Sequence, residues 1–313
     1  MSKIPNNIHI IYGLSPTFGW DEYTHFVSEV GKTMTRPKAD VFNIIRYLTI
    51  KSAHDVNKPD NIFFYYKHKP YGEWWDRALD YITPVEIEPP TEIFGNPVNH
   101  FAHQADVIRL QLLIEEGGIY LDSDVLCNKS FEPLLDIEGE QGDFIMSKEG
   151  VNLPKLSNAV MLSKPDAEFP KTWLSRYTDF NDDVWVEHSI ELPYKLAQEF
   201  PDKVTVLEHK SFAWPLYHSE HLRWFFRNGV DYAKCDYSDG IVSELGGTLT
   251  TDETFDESYA MHLWTGKSVT NELIKDFIDL KLDIKKLVKD KLNANKFTLS
   301  TVEDNTRTAD GID

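Results

Sequence analysis

His103-Gln104-Ala105-Asp106-Val107-Ile108-Arg109-Leu110-Gln111-Leu112-Leu113-Ile114-Glu115-Glu116-Gly117-Gly118-Ile119-Tyr120-Leu121-Asp122-Ser123-Asp124 is the stretch on which the fold turns. Phe101 through Glu116 reads as a helix, with Val107, Ile108, Leu110, Leu113 and Ile114 forming its apolar face. Gly117-Gly118 stops it, as a left-handed C-terminal cap requires. Ile119-Tyr120-Leu121 is then a strand leading directly into two acids. Residues i and i+2 of a strand point to one side, so Asp122 and Asp124 are expected to face a ligand together beyond the strand's end. Ligands of open α/β sheets bind at the carboxyl ends of strands, and carboxylates there suit Mg²⁺ or Mn²⁺. A bare Asp-x-Asp is weak in an acidic chain, and the helix, Gly-Gly and strand before it give it weight. Asp106 and Arg109 share a helical face, a spacing that fits a ligand grip and a surface ion pair equally well.

Outward from this segment the rhythm is that of an α/β domain. Ile8 to Tyr12 and Ile62 to Tyr66 are apolar runs that read as buried strands, followed by an extended Thr83 to Ile87. Between them, helices are expected from about Asp40 to Val56 and from Glu73 to Tyr81. Asp143 to Lys148 and Asn158 to Ser163 read as further strands, Ala167 to Tyr177 and Leu192 to Phe200 as helices. Strands apolar on both faces and alternating with helices predict a mostly parallel central sheet. Lys210 to Tyr237 is aromatic and irregular, in the manner of loops around a site. One domain is expected over 1–268, an amphipathic helix over 269–295 on Leu273, Phe277, Leu280, Ile284 and Leu287, and a polar, disordered tail over 296–313.

Composition narrows the partners. Of 313 residues, 51 are acidic and 32 basic, a net charge of −19, which repels phosphate backbones and anionic lipid and argues against nucleic acid. An anionic ligand therefore needs a local reversal of field, which a divalent cation supplies. The two cysteines form no disulfide framework, and no apolar leader or membrane span is evident, so the expected location is cytoplasmic.

The run His103 to Arg109, with Gly117 to Asp124 after it, resembles the sugar-binding region of glycosyltransferase family 32 over Asn99 to Pro133. Weaker similarity takes in Ile4-Pro5-Asn6-Asn7-Ile8-His9, Ser157-Asn158-Ala159-Val160 and His262-Leu263-Trp264. The resemblance implies a GT-A fold and retaining transfer of a sugar from a UDP- or GDP-sugar to a glycan or other hydroxyl acceptor, with Mn²⁺ or Mg²⁺ as cofactor. Carried over, Asp106 and Arg109 would hold the donor sugar's hydroxyls and Asn158 would sit beside the transferred sugar. Asp122 would contact ribose, sugar or the metal and its bound water, Asp124 would ligate the metal, the run Asp122-Ser123-Asp124 would bind the diphosphate, and His262 would approach metal or diphosphate. The Tyr12-Gly13-Leu14 turn is expected to line the donor pocket and Lys267 to help hold the diphosphate. Where the family has Ser-Trp after the His-x-Trp, this chain runs Thr265-Gly266-Lys267-Ser268-Val269. Two rivals remain at this point. A haloacid-dehalogenase-like phosphatase also places Asp-x-Asp after a strand, but near its start and followed by Gly-Thr. A non-catalytic carbohydrate-binding protein would keep the site without turnover.

Overall fold

The computed structural model describes residues 3–18, 42–136, 142–150, 153–214, 216 and 257–265. In chain order the elements are β1 (Asn7–Ile11), α1 (Ile44–Asn57), β2 (Asn61–Tyr66), α2 (Glu73–Ala78), β3 (Thr83–Glu86), and the short strands β4 (Glu92–Ile93) and β5 (Asn96–Pro97). There follow α3 (Phe101–Glu115), β6 (Gly118–Asp122), β7 (Val125–Cys127), α4 (Glu132–Leu135), β8 (Phe144–Lys148) and β9 (Leu156–Ser163). The described chain continues with α5 (Glu168–Ser175), α6 (Leu192–Glu199), β10 (Thr205–Leu207) and β11 (Ala260–His262).

Seven strands form one sheet in the order β10-β8-β9-β6-β1-β2-β3. The β1–β2, β2–β3, β1–β6 and β8–β10 pairings are parallel, whereas β9 runs antiparallel to both β6 and β8. The architecture is thus mixed α/β with a mostly parallel sheet, as the apolar strands predict. Strand alternation sends side chains into two cores. Ile8, Ile10, Phe64 and Leu121 pack with Ile45, Tyr47, Leu48 and Trp75 on the face covered by α1 and α2. Ile11, Tyr65 and Tyr120 pack with Val107, Leu110, Leu113, Phe169 and Trp173 on the other. Among the described residues the aromatic rings are spent largely in packing, with Trp75, Trp173 and Trp214 almost fully buried.

The corner that sets up the site is the helix-to-strand step at Gly117, where φ is +66° and a Cβ would lie 2.6 Å from the Pro165 nitrogen. Only glycine fits there without strain. His9 pins this corner from β1: its Nε2–H donates to the Gly117 carbonyl at 3.0 Å, and Nδ1 accepts from the Tyr65 hydroxyl at 3.0 Å. A carbonyl can only accept, so the contacts select the tautomer. Burial pushes the imidazole down to about 4, against the pull of the Gly117 contact.

Cys127 is a buried free thiol, pushed up to about 12 by that burial. Among the described residues no helix is long and apolar enough to cross a membrane. The helix expected over 269–295, the tail over 296–313, Lys267, Cys235 and most of Lys210 to Tyr237 lie outside the described residues.

Candidate active site

The centre of the site is the Asp122 carboxylate, which has a different neighbourhood on each oxygen. Oδ1 accepts from the Tyr120 hydroxyl at 2.7 Å and lies 3.3 Å from Nη1 of Arg109. Oδ2 lies 3.9 Å from Nε2 of His262.

On the Oδ1 side, α3 and β9 build a tight charged cluster. The Arg109 guanidinium lies 3.2 Å from Asp106 Oδ1, donates to the Asn158 carbonyl at 2.9 Å and stacks 4.5 Å over the Tyr120 ring. The Asn158 side-chain amide donates to Asp106 Oδ1 at 2.9 Å. Asp106 is 8% exposed and Arg109 6%, so the pair is not on the surface, and burial on that scale requires each charge to be partnered. Burial pushes the Asp106 carboxyl up, against Arg109 and His103. One turn earlier, His103 Nδ1 meets Asp182 Oδ1 at 2.8 Å. Asp182 Oδ2 also accepts from the Asn99 and His100 amides at 3.0 and 3.2 Å, closing the N-terminus of α3 with a negative charge.

On the Oδ2 side, the expected geometry needs correcting. Strand β6 ends at Asp122, and Ser123-Asp124 is a turn into β7. The two carboxylates converge because the chain turns, and alternation along a strand plays no part. Asp124 again divides its oxygens. Oδ2 accepts from both the amide and the hydroxyl of Thr265 at 2.7 Å, and Oδ1 faces His262 Nε2 at 3.2 Å. Strand β11 brings His262 there by pairing antiparallel with β7, His262 opposite Val125, and the Leu263 amide donates to the Asp124 carbonyl at 3.0 Å.

Asp122, Asp124 and His262 thus each present one ligand atom, all within 4.8 Å of one another. Two carboxylates and an imidazole form a donor set that suits Mn²⁺ or Mg²⁺. Burial disfavours charge on His262, but Asp124 and Asp122 outweigh it and hold the imidazole above its usual range. Burial likewise opposes ionised Asp124, and His262, Arg46 and the Thr265 amide together hold it well below the carboxylate range. Nδ1 of His262 is buried with no hydrogen-bond partner among the described residues, and the ring is packed 4.0 Å from that of Trp264.

The Tyr12-Gly13 turn also reaches this place, because Ile11 is in register with Asp122. Gly13 has φ +83°, and its carbonyl accepts from His68 at 2.8 Å. Of the candidate residues, Asp106, Arg109, Asp122, Ser123, Asp124, Asn158, His262 and the Tyr12-Gly13 turn come together at the ends of β1 and β6.

Two neighbours were not anticipated from sequence. Thr265 holds Asp124 as described, and nothing in its local sequence signals this. Arg46, in the first turn of α1, donates from Nη1 to the Ser123 hydroxyl and lays its guanidinium 3.9 Å over the Tyr12 ring. Its signal is a lone charge within the apolar run Ile44-Ile45-Arg46-Tyr47-Leu48.

Comparison with known proteins finds the following likenesses. Residues 45–140 match the family described as glycosyltransferase sugar-binding region containing DXD motif. Glucan organizing enzyme 1 of Cryptococcus neoformans var. grubii is 34% identical over 223 residues, 70% of this chain and 57% of the relative, so the chain spans little more than half of that protein's length. Mouse xyloside xylosyltransferase 1 is 11% identical with a TM-score of 0.44, covering 82% of this chain and 96% of that one. The galactosyltransferase LgtC, crystallised with donor and acceptor sugar analogues, is 13% identical with a TM-score of 0.40, covering 91% and 100%. The matched residues contain α3, Gly117-Gly118, β6 and the acidic turn, so the part of this chain that is similar to a DXD-containing glycosyltransferase sugar-binding region is the part that carries these elements.

Proposed function

We propose that this chain is a metal-dependent glycosyltransferase that moves a sugar from a UDP- or GDP-sugar to a glycan or other hydroxyl acceptor, with retention of configuration. The observation that carries the reading is the two-sided Asp122: one oxygen is tied to the buried Asp106–Arg109–Asn158 cluster, the other faces Asp124 and His262. A sugar grip and a cation site therefore share one residue, which is the arrangement needed where a sugar–diphosphate bond is cut.

Asp122 Oδ2, Asp124 Oδ1 and His262 Nε2 would hold the metal. When bound there, Mn²⁺ or Mg²⁺ supplies the positive charge that a departing diphosphate requires. Asp106 and Arg109 stand on one rigid helix, and their partially engaged polar atoms can fix the direction of the sugar's hydroxyls, an orientation effect. Asn158 belongs to the same wall. The Tyr12-Gly13 turn would flank the nucleotide, and Lys267 would approach the diphosphate from beyond Thr265.

The test is transfer or hydrolysis across a panel of UDP- and GDP-sugars with Mn²⁺, Mg²⁺ or chelator, the anomer of the product being read by NMR. Asp124→Asn should lower turnover about a hundredfold or more. In thermal shift, the right nucleotide sugar at about a hundredfold over its dissociation constant should add about 2.7 kcal/mol. Undiminished activity after chelation would overturn metal dependence, and an inverted product would overturn retention.

A further inference from the structure

We infer that Arg46 is a phosphate-binding residue of the donor site, a fixed positive charge beside the metal ligands that contacts the anionic diphosphate directly. The inference rests on the transferase reading above and adds a ligand contact to it.

Position argues first. Arg46 sits in the first turn of α1, one residue after Ile45 and within reach of the Asn43 cap, whose side chain accepts from the Ile45 and Arg46 amides. A cation in that turn opposes the helix dipole, and no acidic residue occupies the turn to offset it. Helix stability alone would not select Arg there. The same turn attracts anions, so helix end and side chain act in one direction.

Partners argue second. Among the described residues Arg46 donates one hydrogen bond, to Ser123, and has no carboxylate partner within ion-pairing reach. Its Nε is buried and without a hydrogen-bond partner. A guanidinium with most of its donors unspent, beside an acidic turn in a chain of charge −19, is matched by an oxyanion. Arg109 is the instructive contrast, because its charge is absorbed by Asp106 and Asp122.

Placement argues third. Arg46 bridges the Tyr12 ring at the end of β1 and the Ser123 hydroxyl between the two metal-facing acids. A nucleoside flanking Tyr12 and a diphosphate reaching the Asp124 side would have to pass it. The α1 helix is held against the same turn by Thr49, whose hydroxyl donates to the Ser123 carbonyl at 3.1 Å, so the guanidinium is delivered from a fixed base.

The experiment is calorimetric titration of UDP and GDP in Mn²⁺ into the wild type, Arg46→Gln and Arg46→Lys, with Mn²⁺ alone titrated into each. Arg46→Gln should weaken the better nucleotide about ten- to hundredfold, flatten the salt dependence of its binding, and leave Mn²⁺ affinity equal or tighter. Arg46→Lys should recover part of the loss. Nucleotide affinity unchanged in Arg46→Gln would overturn the inference while leaving the transferase reading intact. Parallel loss of Mn²⁺ binding would also overturn it, because Arg46 would then act by bracing the Ser123 turn. A wild type that binds neither nucleotide in Mn²⁺ would overturn both readings together.

Discussion

The two sides of Asp122 are built differently. The side proposed to face the sugar is made from α3 and β9, with β6 between them supplying Tyr120 and Asp122, and its positive charge is shared between two acids and hydrogen-bonded to the Asn158 carbonyl. The side proposed to face the cation joins a turn to a strand from the far end of the described chain, with Thr265 held to Asp124 across 141 positions. There two carboxylates face one imidazole, with the Arg46 guanidinium bonded to the Ser123 hydroxyl between them. The proposed grip holds its positive charge in direct ion pairs, whereas the proposed cation site meets its cations across a turn and a distant strand.

Removing Arg109 should break the first side most severely. Arg109→Met leaves the buried Asp106 and the half-buried Asp122 without their counter-charge and should cost about 3–5 kcal/mol in denaturant unfolding. A loss below about 1 kcal/mol, the size expected of an exposed pair, would erase the contrast between the two sides.

The shared corner beneath both sides should respond to acid. His9 is held neutral with its pKa lowered to about 4, against an ordinary value of 6.5. Between those values the unfolded chain binds a proton that the folded one refuses, so stability is full above about pH 6.5 and falls as the pH drops toward 4. The loss attributable to His9 is on the order of 3 kcal/mol. Unfolding curves of wild type and His9→Gln across this range should diverge in slope, and identical slopes would refute the assignment.

The smallest effect is expected from the side that is anchored by fewest groups. Thr265→Val removes one of the two donors to Asp124 Oδ2 and should weaken Mn²⁺ about ten- to hundredfold while the fold persists. If Mn²⁺ affinity does not change, the Thr265 amide alone suffices to orient the carboxylate.

What the sequence made legible follows the same division. The helix, its glycine stop and the strand carry local signals, periodicity and cap chemistry, and α3, Gly117 and β6 fall where they are read. The burial of Asp106 and Arg109 was illegible, because three-residue spacing is the same on a wet face and a dry one. The convergence of Asp122 and Asp124 was expected for the wrong reason, since a two-residue turn gives no periodicity to distinguish it from continued strand. Strands β7 and β11 are three residues each, too short for any pattern, and their partnership is fixed by packing alone. His262 was reached only through resemblance. Arg46 lacked even that, although a single charge in a run of buried apolar residues is a cue worth reading.

The β7–β11 pairing also sets a timetable for the molecule. During synthesis the acidic turn emerges with β6 and β7, well before the strand that carries His262 exists. Contacts of such long sequence separation form late, because loop closure must be overcome before they reward it. The proposed cation site is therefore among the last parts of the described fold to be completed, and a chain that has not yet docked β11 has the acids without the imidazole. A divalent ion that bridges Asp124 and His262 would tie that late strand to the early turn, so that part of its binding free energy becomes free energy of folding.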